Sequence, residues 1–183
     1  MSSDNSEEQD KALRQEIIES QKTQADYLKW KLISVATVAS ISLGFGPTNT
    51  TSVKGAKLLL CLIPLICAYI DLISIHIMIR IITIGVYLKV SGSPYEKFVF
   101  KIRDKASVNP FVFEASALHG SSLVFNVILI LLGFSLPLSD WPQQYLTAYI
   151  VAGSLGIVAT LFSWLLYTVR ARDVIRISET GID

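Results

Sequence analysis

Apolar residues gather into four long blocks, at 30–46, 58–79, 116–138 and 145–169. A helix needs about 20 mostly apolar residues to cross a hydrocarbon core of about 30 Å. Each block therefore predicts a spanning helix. The first is short, and Lys29 and Lys31 at its start are expected to snorkel toward the headgroups. The second runs on to Tyr87 and contains one discordant pattern. From Ile73 to Ile81 every odd position is Ile, with Ser74, His76, Met78 and Arg80 between. Period two is a strand signal. A lone strand leaves its backbone groups unpaired in lipid, so helix is the expectation here too.

Polar stretches flank the blocks. Residues 7–29 hold no Gly or Pro and are rich in Glu, Gln, Lys and Ala, all good helix formers. Nothing ends that helix before the first span, so one long helix is expected to run from cytoplasm into membrane. Its stripe of Leu13, Ile17, Ile18, Ala25 and Leu28 breaks at Ser20, Gln21 and Gln24, which disfavours a coiled coil. In the loop 80–115, Ser93 and Glu96 form a capping box with Pro94 at the first helical position. Tyr95, Phe98, Val99 and Ile102 follow a helical spacing, with Lys97, Lys101 and Lys105 opposite. This short amphipathic helix is expected on the inner leaflet or on the protein itself. Asn109 and Pro110 then open the helix of the third span. Arg170–Ile177 extends the fourth.

Composition agrees with this layout. Of 183 residues 51% are hydrophobic and 17% charged, and the mean hydropathy is +0.50. Soluble domains carry about 25% charged residues. A soluble enzyme and a disordered chain are both excluded, and the net charge of +1 gives no reason to expect nucleic acid. The charge is also sorted. With four spans, fourteen of the sixteen Lys and Arg fall on one side and only Lys54 and Lys57 on the other. The positive-inside rule then places both termini in the cytoplasm, and the cell's inner (plasma) membrane is the expected location. Tyr27, Trp30, Trp141, Tyr145, Trp164 and Tyr167 fall near block ends, as interfacial aromatics do. Cys61 and Cys67 lie within one apolar run and form neither a disulfide framework nor a zinc site. The expected architecture is an all-α, four-span bundle, residues 30–169, between cytoplasmic segments 1–29 and 170–183.

Polar residues inside the apolar blocks are costly, so each is a candidate site. At 1.5 Å per residue, Asp71 lies about 21 Å below Lys57, level with Ser122 and Asn126 on the third span. His76 is level with His119. Arg80 lies deeper, on the face of Tyr69 and His76, and Asp71 faces away from them. These six residues are either interhelical glue or an intramembrane polar site, with Asp71 first among them. Glu114 is a weaker candidate, since an acid is favoured in a helix's first turn anyway. Small residues four apart, Ala36, Ser40 and Gly44 on span one and Ala148, Ala152 and Gly156 on span four, mark expected packing ridges. Gly44-Phe45-Gly46 resembles a potassium-filter tripeptide but reads as a helix end before Pro47. Asn49-Thr50-Thr51 matches a glycosylation sequon close to the membrane.

No enzyme motif is present: no HExxH, GxSxG, CxxC or phosphate loop. An intramembrane metal site from Asp71, His76, Glu114 and His119 is opposed by the angle of about 140° between Asp71 and His76 on their helix. The expected function is a non-enzymatic, homo-oligomeric sensor, effector or signal-relay module without cofactors. The alternatives are a small channel or transporter subunit using Asp71, or an accessory subunit of a larger membrane complex. A cytoplasmic helix feeding a span pair resembles, in architecture, the small membrane effector modules of bacterial nucleotide-signalling defence systems.

Overall fold

The computed structural model describes residues 3–44, 56–92, 96–97, 99, 101, 110–135 and 143–180. All regular structure among the described residues is helical. Helix α1, Ser3–Leu43, is one unbroken run of 41 residues, as the lack of Gly and Pro predicts. It ends at Gly44, whose φ of +82° suits glycine and whose N–H bonds the Ile41 carbonyl at 3.3 Å. A 3₁₀ segment, Ala56–Leu62, leads into α2, Ile63–Val90, and the period-two isoleucines are helical within it. Helix α3 is Pro110–Ser135, and α4 is Gln143–Thr180, which carries the fourth apolar block through Arg170–Ile177. Pro47, the sequon at 49–51, Ser93, Pro94, Tyr95, Phe98, Ile102, Lys105, Asn109, Trp141 and the Glu114 side chain lie outside the described residues.

Three helical stretches are long and apolar enough to cross a membrane: Ala56–Val90, Ala115–Phe134 and Gln143–Ile177. Their outward faces carry exposed Leu65, Tyr69, Phe134, Leu155 and Val158. Water would not tolerate so much contiguous apolar surface, whereas lipid is its natural solvent. The apolar run of α1 does not reach the same length. Lys29 and Lys31 interrupt it, and Leu32–Leu43 covers only about 18 Å at the helical rise.

Helix α3 lies against α4, α4 against α2, and α2 against α1. The α3–α4 approach depends on missing side chains. A Cβ on Gly153 would sit 2.8 Å from the Asn126 carbonyl oxygen, and one on Gly156 would sit 2.6 Å from Asn126 Cγ. Of the small residues expected on α4, Gly156 is buried and Ala148 and Ala152 are half-buried, and buried Gly153 stands beside them. Those expected on α1 face outward. Ala36, Ser40 and Gly44 are exposed, and α1 instead turns Lys31, Val35, Val38, Ala39 and Ser42 inward.

The interior divides into layers. One apolar cluster joins Val35 of α1, Leu60, Ile63 and Cys67, Leu129 of α3 and Tyr149 of α4. The Tyr149 hydroxyl donates to the Lys57 carbonyl at 2.8 Å. A second cluster joins Ile75, Met78, Ile82 and Val86 of α2 with Ala115 and Tyr167. Tyr167 is thus a core residue and not the interfacial aromatic expected. Between the clusters lies a polar layer. Beyond the second cluster, Glu96 is buried, and the Arg14 guanidinium of α1 acts on it. Burial pushes the Glu96 carboxyl above its ordinary range, and Arg14 draws it part of the way back. Lys97 and Lys101 are exposed.

Candidate functional site

The polar layer is built around Lys31. Its side chain is 0% exposed, as is that of Asp71, and Nζ lies 2.9 Å from Asp71 Oδ1. The ammonium also donates to the Leu118 carbonyl at 2.8 Å and to Ser121 Oγ at 2.9 Å. Three acceptors surround a group with three donors, so every donor of the ammonium has a partner. Asp71 accepts a second bond at Oδ2, from Ser122 Oγ at 2.6 Å. Ser121 in turn donates to the Leu118 carbonyl at 2.7 Å. One side chain of α1 thereby fastens that helix to both α2 and α3.

This position corrects the expectation that Lys31 snorkels to the headgroups. Its partner Asp71 lies about 24 Å below Lys57, across the 3₁₀ segment and the first turns of α2, and about 14 Å above Arg80. Nζ is turned inward onto its acceptors and not toward the N-terminal end of the span, and neither side chain of the pair is exposed. An ammonium held there needs an anion, and Asp71 is the acid at that depth.

Further polar groups complete the layer. Asn126, one turn up α3 from Ser122, sends Nδ2 toward Thr160 Oγ1 at 3.4 Å, a long contact. Thr160 donates to the Gly156 carbonyl at 2.9 Å and Ser163 to the Thr160 carbonyl at 2.8 Å. His119, one turn down from Ser122, is 2% exposed. Its Nδ1 is 2.7 Å from the Ala115 carbonyl, and its ring stacks on Trp164 with centroids 6.2 Å apart. Ser74 Oγ, His119 Nε2 and Asn126 Oδ1 are buried without a hydrogen-bond partner among the described residues.

Of the six residues expected as a polar site, the fold gathers Asp71, Ser122, Asn126 and His119 into this layer. It does not bring in the other two. His76 is exposed on the outward face of α2, so it does not meet His119 despite their equal depth. Arg80 is 60% exposed and pairs with Glu16 of α1 at 2.6 Å. Sequence reasoning missed Lys31, Ser121, Thr160 and Ser163. For Lys31 a signal existed, since one unpaired acid within apolar blocks calls for one base. Among the described residues no group of three or more His, Cys, Asp or Glu is arranged to hold a metal ion.

Family models, curated proteins and solved structures give no match to this chain.

Proposed function

We propose that this protein is a multi-pass, non-enzymatic membrane relay in which α1 is the moving part. In this reading all four helices enter the bilayer and both termini are cytoplasmic. The polar half of α1 projects from the inner face beside a short helix of the inner loop. The observation that carries the reading is the Lys31 ammonium, a single side chain of α1 held by Asp71 of α2 and by Leu118 and Ser121 of α3. At about 60 Å, α1 is twice the thickness of the hydrocarbon core. A small rotation at Lys31 is therefore a large displacement at residue 8. The Glu16–Arg80 bridge and the burial of Glu96 beside Arg14 dock the polar half of α1 where such a displacement is read out. The partners are the bilayer and further copies of the chain or another membrane protein.

A conducting path through Asp71 is the weaker reading. Its carboxylate is fully buried within one chain and already neutralised by Lys31, which leaves a passing ion nothing to bind.

Spin labels at exposed Ile18 and exposed Val90, in a background with both cysteines replaced, report the α1–α2 distance. The wild type is expected to give one narrow distribution by pulsed electron resonance in liposomes. Asp71→Asn is expected to add a second, longer distance. An unchanged narrow distribution in Asp71→Asn would defeat the relay reading.

A further inference from the structure

The seat that holds Lys31 is made by other helices. Its three oxygens are Asp71 Oδ1 from α2 and Leu118 O and Ser121 Oγ from α3. Ser122 of α3 fixes the free end of the carboxylate, and Ser121 bonds within its own helix. None of these last contacts needs α1. The oxygens are thus prearranged around one point of space, carry one negative charge, and lie between apolar residues of α2, α3 and α4, Leu129 and Cys67 above and Ile75 and Tyr167 below. If α1 withdraws, that charge is left in a medium that strongly disfavours it. Something of unit positive charge must then replace the ammonium.

We propose that this seat is a monovalent-cation site, that the Lys31 ammonium occupies it as a tethered ligand, and that a free monovalent cation takes its place when α1 is released. The charge selects the ion. Oxygens 2.8 to 2.9 Å from Nζ stand at the hydrogen-bond distance of an ammonium. One carboxylate balances one unit charge, not two. The seat therefore favours a monovalent ion, ammonium or potassium, over a divalent one. This rests on the reading of Lys31 as the fastening of α1, and it adds the ligand that competes for the fastening.

The test uses the full chain in detergent with Lys31→Ala, which vacates the seat. Potassium chloride replaces the chloride of a bulky organic cation at constant ionic strength, and the melting temperature is followed. The expected result is a saturable rise of roughly 3–6 °C at ten times the half-saturating concentration. Wild type and Lys31→Ala/Asp71→Asn are expected to stay flat, and calcium is expected not to substitute. A flat Lys31→Ala titration overturns the proposal. So does a melting temperature that ignores potassium but rises with falling pH, because Asp71 is then neutralised by a proton. If Lys31→Ala aggregates, extraction in potassium or ammonium is expected to recover monodisperse protein that the bulky cation does not. Equal loss in both overturns the proposal. Melting reads the seat alone and spin-label distances read the motion of α1, so failure of one is distinguishable from failure of the other.

Discussion

Removing either member of the Lys31–Asp71 pair leaves a fully buried charge whose partner stood 2.9 Å away. At that separation and an effective dielectric of 20, the lost attraction is about 6 kcal/mol. The surviving bonds return part of it. Lys31 keeps Leu118 and Ser121, and Asp71 keeps Ser122. The net cost of Asp71→Leu or of Lys31→Met should then be about 3–5 kcal/mol, the usual range for a broken buried pair. For a chain of this length that is a fall in melting temperature of roughly 10–15 °C. The double variant Lys31→Met/Asp71→Leu removes both charges and fills their space with apolar atoms. It should recover to within about 2 kcal/mol of the wild type, since well-packed apolar replacements of buried pairs are often neutral. Thermal unfolding of the four proteins in one detergent closes the cycle. The reasoning fails if the losses of the single variants add in the double one. It fails equally if Asp71→Leu melts like the wild type.

Other variants separate contacts that matter from contacts that do not. Gly156→Ala places a Cβ 2.6 Å from Asn126 Cγ and should cost about 1–3 kcal/mol, while Gly120→Ala, with nothing within 4 Å, should be neutral or gain up to about 1 kcal/mol. Melting curves of the two proteins decide this, and equal effects would refute it. Arg80→Ala should cost no more than about 1 kcal/mol despite its short bridge to Glu16, because the Arg80 side chain is 60% exposed and water screens the pair. Glu96 should give stability a pH slope. Its raised carboxyl holds a proton more tightly in the folded chain than in the unfolded one. Its contribution is therefore complete below the ordinary value of 4.5 and is lost as pH rises through the raised value. Glu96→Gln should flatten melting temperature against pH across that window, and Arg14→Gln should widen it.

The helices were largely legible in the sequence, and the site only in half. The long α1, the helical reading of the period-two isoleucines, the helix end at Gly44 and the extension of α4 all follow from local rules. Those rules concern which residues sustain or stop a backbone, and they need no partner. The face that α1 turns inward was not legible. Ala36, Ser40 and Gly44 have the right spacing for a packing ridge, but so does the stripe of Lys31, Val35, Val38 and Ser42, and the fold uses the second. The same ambiguity hid half of the site. Asp71 stood out because an acid within an apolar run has no local explanation. Lys31 had one, since a lysine at the start of such a run ordinarily snorkels. Only the fold, which turns Nζ inward onto Asp71, Leu118 and Ser121, shows that this route is not taken. Ser121, Thr160 and Ser163 were unreadable for a related reason. Hydroxyls in apolar helices usually bond their own turn, as Thr37 and Thr83 do here, so their presence alone points nowhere.

Why a costly polar layer sits between two apolar clusters follows from the solvent. Lipid tails are as apolar as leucine, so burying apolar side chains gives membrane helices little reason to prefer one register over another. The two apolar clusters can tolerate a slide of one turn, because Ile, Leu and Val recur along every helix. The layer cannot. Moving α1 by one turn, about 5.4 Å, would take Nζ away from all three of its acceptors at once and strand both charges. The pair thus contributes a position more than it contributes stability. The double variant Lys31→Met/Asp71→Leu puts the two roles apart. It should melt close to the wild type while spin labels at Ile18 and Val90 report several distances where the wild type gives one. A double variant that keeps the single narrow distance would show that the apolar clusters alone set the register. The layer would then be an ordinary hydrogen-bonded core.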